Sequence, residues 1–149
     1  MSASPLPALP CMCSSFRRTS RALTQLYEQA LRPFGLRATQ FTILQVLVHV
    51  NETTQGQLGE ILAMDSTTLT RTLAIMVRRG WVAERRGEDR RQRWLRLTKA
   101  GEAQFKRAQP AWEKAQAGLR RRVGEQVWQN LFQLTNQLTD IAITQGDSI

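Results

Sequence analysis

Two groups of residues in this chain have the types and spacing for chemistry. The first is a pair of thiols, Cys11 and Cys13, with Arg17 and Arg18 one helical turn further on. The thiolate is the reactive form of cysteine. Guanidinium groups and a helix N-terminus both lower the pKa at which it forms. Three readings stay open: a reactive Cys13 with Cys11 as its resolving thiol, a two-thiolate site for a soft ion such as Cu(I), As(III) or Hg(II), and no chemical role. Structural zinc is disfavoured, because such sites take four ligands and the chain has one histidine, His49, which lies in an apolar run and reads as a core residue.

The second group is a concentration of guanidinium. The formal charge is +9, and residues 66–99 hold ten Lys/Arg, nine of them Arg, against the three acids Glu84, Glu88 and Asp89. Arginine forks onto phosphates and base edges, so this excess points to nucleic acid. No catalytic constellation accompanies it. One histidine, few acids and no Gly-rich phosphate loop leave little for acid–base work.

The surrounding sequence predicts elements that would position these groups. Apolar residues from Met12 to Phe34 follow a helical stripe, ended by Pro33 and Gly35. The run 41–50 reads as a buried helix capped by Thr39, with a buried strand as the alternative. A short helix near 55–62 turns Leu58, Ile61 and Leu62 inward. A second, capped by Asp65 or Ser66, runs to about Arg79 and stops at Gly80. With Leu69, Leu73, Met76 and Val77 inward, its outer face carries Ser66, Thr67, Thr70, Arg71, Ala74 and Arg78. Hydroxyls and Arg near a helix N-terminus suit a DNA major groove.

Segments 81–85 and 93–97 then read as two strands around a polar loop. This hairpin crowds Arg86, Arg90, Arg91 and Arg93 together, with Asp89 expected to orient a neighbouring guanidinium through a paired hydrogen bond. Such a cluster repels itself until an anion arrives, and an Arg at the tip suits a narrow minor groove. Two helical seams follow: Phe105, Ala108, Trp112, Ala115 and Leu119, kinked at Pro110, then Val127, Leu131, Leu134, Leu138 and Ile141 after Gly124. One seam could be covered within the chain, but the two together with the stripe at 12–34 exceed what one small winged domain can cover, which predicts a homodimer through the termini. Trp81, Trp94, Trp112 and Trp128 read as apolar anchors, some of them candidates to line an effector pocket.

The fold class is therefore mainly α with a small β-wing. It is a winged helix-turn-helix in which N- and C-terminal helices form a dimer module. The expected divisions are a flexible arm at 1–11, a dimerisation module at 12–36 and 98–145, and a DNA-binding lobe at 37–97. The arm MSASPLPALP lacks a signal-peptide pattern, and no apolar run approaches a membrane span, which predicts a cytoplasmic protein.

The stretch GEDRRQRWLRLTKAG (87–101) resembles the wing signature of the MarR family of transcription regulators, through Asp89, Arg91, Leu97, Thr98 and Gly101. LGEILAMDSTTLTRTLAIMVRRGWVAE (58–84) is similar to that family's helix-turn-helix, and the likeness extends over about residues 12–143. The resemblance implies a dimer on an inverted-repeat operator, with Arg91 as the minor-groove contact. It also implies, from the organic-peroxide-sensing branch, that Cys13 senses and that Tyr27, fourteen residues on, donates a hydrogen bond to it across the dimer. That branch's second tyrosine falls at Phe41, which has no hydroxyl. The expected function is a regulator, usually a repressor in this family, released by a small ligand, an oxidant or a thiophilic metal. The competing readings are an architectural nucleic-acid binder without regulatory input and a winged-helix protein-interaction module.

Overall fold

A computed structural model describes residues 7–146, with the side chains of 145 and 146 left aside. Of the expected arm, residues 1–6 lie outside the described part. Within it, the Arg18 guanidinium donates to the Pro7 carbonyl at 2.9 Å. The elements in order are α1 (Met12–Leu31), a 3-10 turn (Arg32–Phe34), α2 (Ala38–Val50), β1 (Glu52–Thr54), α3 (Gln55–Leu62), α4 (Ser66–Arg78), β2 (Val82–Arg86), β3 (Arg93–Leu97), α5 (Lys99–Val123) and α6 (Glu125–Gly146). The chain divides after Trp112 into two compact units.

The first unit is built around α2. Phe41, Ile43, Leu44 and Leu47 are buried there with Leu31, Leu36, Leu58, Leu69, Leu73 and Met76. Phe41 stacks on Phe105 at 5.3 Å between ring centroids and lies 5.6 Å from Trp112, so the position without a hydroxyl is an aromatic core position. The 41–50 run is helical, and the strand alternative falls away. Its N-cap is Arg37, whose N–H is accepted by the Gln40 side chain at 3.0 Å; Thr39 lies inside the helix. His49 is exposed rather than in the core, with Nδ1 2.8 Å from the Gln45 carbonyl, because the last turn of α2 leaves the core and also exposes Val48 and Val50. Ile61 is likewise 56% exposed, since Leu58 and Leu62, one turn apart, define the inner face of α3.

α3 and α4 form the helix-turn-helix. Thr54 caps α3 by accepting the Gln57 N–H at 3.2 Å. Asp65 caps α4, its carboxylate accepting the Thr68 N–H at 2.8 Å and the Thr68 hydroxyl at 2.6 Å. Those bonds hold the Asp65 carboxyl below its ordinary range. Gly80 ends α4 with φ +74, a left-handed conformation that costs glycine nothing.

The sheet has order β1-β3-β2, antiparallel throughout, and β1 is a strand the sequence reading did not include. The start of α5 is bolted to the turn before β2. Thr98 donates its N–H to the Trp81 carbonyl at 3.1 Å and its hydroxyl to the Gly80 carbonyl, and its oxygen accepts the Gly101 N–H at 3.0 Å. A Cβ on Gly101 would sit 2.1 Å from the Trp81 carbonyl oxygen, so this contact admits no side chain. Gln104, buried, donates to the Phe34 carbonyl at 2.6 Å.

The second unit holds the end of α5 and α6. α5 is one helix through Pro110. Within this unit Trp128 meets Phe132 edge-on at 5.1 Å, and Arg120 pairs with Glu125. The seam Val127, Leu131, Leu134, Leu138 and Ile141 is exposed, with Phe132 and Ile143 beside it. No helix among the described residues is long and apolar enough to cross a membrane.

Candidate nucleic-acid interface and thiol pair

α4 presents the face expected of it. Leu69, Leu73 and Met76 are buried, while Ser66, Thr67, Thr70, Arg71, Ala74 and Arg78 are exposed. Neighbouring Arg79 is occupied: its guanidinium donates to the Gly35 carbonyl at 3.0 Å and lies 5.0 Å from the Trp81 ring centroid. It secures the end of α4 to the turn before α2.

In the wing, β2 and β3 place Arg86 directly opposite Arg93. Like charges so placed repel. Arg90 and Arg91 lie in the exposed loop between them. Among the described residues no carboxylate lies within ion-pair distance of these four arginines. The cluster is therefore an unneutralised cationic edge that an anion would stabilise.

Asp89 acts differently from the expectation. Its carboxylate accepts the backbone N–H of Arg91 at 2.9 Å rather than a guanidinium. The Asp89 carbonyl accepts the Gln92 N–H at 2.9 Å, and the Gln92 carbonyl accepts the Gly87 N–H at 3.0 Å. A short acceptor two residues upstream closes an Asx turn, so Asp89 shapes the main chain that carries Arg91.

Another arginine of the hairpin is spent on architecture. Arg85 donates to both carboxylate oxygens of Glu52, at 2.8 and 2.9 Å, and lies 5.0 Å from the Trp94 ring centroid. Glu52 is on β1, Trp94 on the central strand and Arg85 on β2, so the pair ties the sheet across its width. Sequence reasoning missed Glu52 because its partner is 33 residues away. The paired guanidinium holds the Glu52 carboxyl below its ordinary range. With the folded-state pKa depressed, the contribution of this pair is present at neutral pH and lost as pH falls through that lowered value. The Trp94 indole NMR signal is expected to stay constant as pH falls from 7 and to shift only once the pH is below the ordinary glutamate range, where Glu52 protonates. In Glu52→Gln the shifted position should be present already at pH 7. A Trp94 signal indifferent to both would remove the tie.

The thiols are exposed at the start of α1. Cys11 is its N-cap residue, in extended conformation. The backbone N–H and hydroxyl of Ser14, then the Cys13 N–H, with Arg17 contributing least, hold the Cys11 thiol below its ordinary pKa. The helix N-terminus thus favours the thiolate of Cys11, where the sequence pointed to Cys13. Tyr27 is half-buried, and burial pushes its phenol up. Fourteen residues at 1.5 Å each separate it from Cys13 by about 21 Å along one helix, so a Cys13–Tyr27 contact requires two chains. Among the described residues no group of three or more His, Cys, Asp or Glu is placed to hold a metal ion.

Residues 34–92 match the model of the MarR family. The chain is 36% identical to the transcriptional regulator MosR of M. tuberculosis, solved in complex with DNA, with 87% of this chain and 97% of that one covered and a TM-score of 0.76. It is 29% identical to AbfR, solved in reduced form bound to DNA, covering 86% and 92% of the two chains at a TM-score of 0.67. A curated relative, the uncharacterised HTH-type transcriptional regulator YwoH of Bacillus subtilis (strain 168), is 32% identical over 88 residues. That match takes in 59% of this chain and 64% of the relative's length. With the three-stranded wing, the helix-turn-helix and likeness over nearly the whole length of MosR, this chain belongs to the MarR family of transcription regulators.

Proposed function

We propose that the protein is a homodimeric, sequence-specific DNA-binding repressor whose affinity is controlled at Cys11 and Cys13. The observation that carries DNA binding is the unneutralised edge Arg86, Arg90, Arg91 and Arg93 in the same compact unit as the exposed hydroxyl and Arg face of α4. The MosR and AbfR complexes with DNA support it. The exposed seam of α6 and the exposed Met12 and Phe16 of α1 support dimerisation, since a lone chain leaves that apolar area in water. Two recognition helices related by a twofold axis would read an inverted repeat with half-sites about 34 Å apart. A small-molecule effector is the alternative inducer.

Control by the thiols is supported by their exposure and by the helix-start groups that favour the Cys11 thiolate. With a peroxide ROOH, that thiolate attacks the terminal oxygen, giving the sulfenic acid and RO⁻. The Cys13 thiol then displaces water to form a disulfide. The disulfide would tie the extended N-cap residue Cys11 to Cys13 in the first turn of α1, straining the 3.0 Å bond from the Ser15 N–H to the Cys11 carbonyl that starts the helix. The start of a helix assigned to the dimer module would thereby be rebuilt. A preference of roughly 3 kcal/mol for the released form lowers affinity more than a hundredfold.

The test is a DNA-binding titration of reduced, peroxide-treated and As(III)-treated protein, repeated with Cys11→Ser and Cys13→Ser. Release in the wild type and none in Cys11→Ser is expected. Equal affinity in all three wild-type states would end the thiol reading while leaving DNA binding intact. A monomer, or binding indifferent to salt, would count against the DNA-binding dimer itself.

A further inference from the structure

The hydroxyl of Thr70 differs from those of several other threonines in the middle of helices. Thr42, Thr72, Thr135 and Thr139 each donate to the carbonyl four residues back, at 3.1, 3.0, 2.8 and 2.9 Å. Thr70 makes no such bond among the described residues. Its oxygen instead accepts from Nε2 of Gln55, the first residue of α3, at 2.8 Å. The other end of that amide, Oε1 of Gln55, is buried without a partner. Turning the amide over would bury the two N–H donors of the NH2 group in place of one carbonyl oxygen. Buried orphan donors are the rarer and costlier arrangement. In the structure Gln55 is the donor of this pair and Thr70 the acceptor.

We infer that Gln55 is a positioning residue for DNA recognition: by donating to Thr70 it leaves the Thr70 O–H proton directed outward, to a hydrogen-bond acceptor on the duplex. This rests on the reading of α4 as the recognition helix. A threonine hydroxyl has one proton and two lone pairs. One lone pair is taken by Gln55, and the i−4 carbonyl does not compete for the proton. The acceptors open to it are phosphate oxygens, guanine N7 and O6, adenine N7 and thymine O4. A phosphate contact would weaken binding to all sequences alike when lost, and a base contact would relax preference at one position in each half-site.

The experiment starts from duplexes that wild-type protein selects from a random library. Binding is then measured for Gln55→Met, Thr70→Val, the double variant, and Gln55→Glu in both backgrounds, with melting curves as a folding control. Each single variant is expected to lose about tenfold, and the double no more than the weaker single. Gln55→Glu keeps the shape and a bond to Thr70, but its carboxylate takes the hydroxyl proton. It is expected to bind at least as poorly as Gln55→Met, and to add little loss in the Thr70→Val background. A role confined to holding α3 against α4 would instead be rescued by Glu. Repeating the selection with each variant separates base from phosphate contact. Wild-type affinity in either single variant, losses that multiply in the double, or rescue by Glu would overturn the proposal. Failure of the wild type to select any duplex would overturn the DNA-binding reading first and this one with it.

Discussion

Replacing Gly101 with alanine is expected to lower the melting temperature by about 10 °C. The added Cβ would lie 2.1 Å from the Trp81 carbonyl oxygen and 3.2 Å from Leu97 Cδ2. The first of these atoms is backbone. It also accepts the Thr98 N–H, so it cannot move away without loosening the start of α5. Overpacking against such a fixed group costs about 3 kcal/mol or more. Gly118→Ala, in the same helix, is expected to change stability in the opposite direction by up to about 1 kcal/mol. There a Cβ meets only a guanidinium end at 3.9 Å, and the helix loses its most flexible residue. Thermal melts of both variants check the pair of signs. Equal melting temperatures would mean that the Trp81–Gly101 contact has slack.

The second large effect belongs to the wing. Arg91→Ala is expected to weaken DNA binding about 10- to 100-fold without changing the melting temperature. Arg91 is exposed, so the free protein loses no packing. In a dimer two contacts disappear, and the slope of log affinity against log salt should fall by about 1.8 if both are to phosphate. Asp89 gives the more discriminating pair of variants. Asp89→Ala removes a negative charge beside the cationic edge, and simple charge counting would have it bind more tightly. Its carboxylate, however, accepts the Arg91 backbone N–H, so the Asx turn opens and binding should weaken. Asp89→Asn keeps the acceptor oxygen, discards the charge, and should bind at least as well as wild type. Tighter binding by the alanine variant would dismiss the turn as the reason for Asp89.

The helices were legible because their signals are local. Asp65 capping α4, Gly80 ending it, and Leu69, Leu73 and Met76 at helical spacing all lie within fifteen residues of one another. The outward face of α4 followed from the same period, and the structure exposes each residue assigned to it. Several departures from that reading have tertiary causes. His49 was assigned to the core from the apolar residues beside it in sequence, yet the last turn of α2 clears the core. β1 is three residues long, too short for alternation to show, and exists because β3 pairs with it. Glu52 could not be matched to Arg85, nor Gln55 to Thr70, because sequence periodicity carries no information about contacts between elements. Gly101, by contrast, was found through resemblance before its physical reason, the Trp81 carbonyl, was in view.

The Arg86–Arg93 register has a consequence for target search. Repulsion across that pair is a property of the unbound protein. Any polyanion relieves it, whatever its base sequence. The relief therefore raises affinity for random DNA and for the operator by the same factor, and the ratio between the two is untouched. Under the proposed function, such a protein would hold to chromosomal DNA nearly everywhere and find its site by moving along it. On the same reading, discrimination would come from groups with directional demands, above all the short side chains on the outer face of α4.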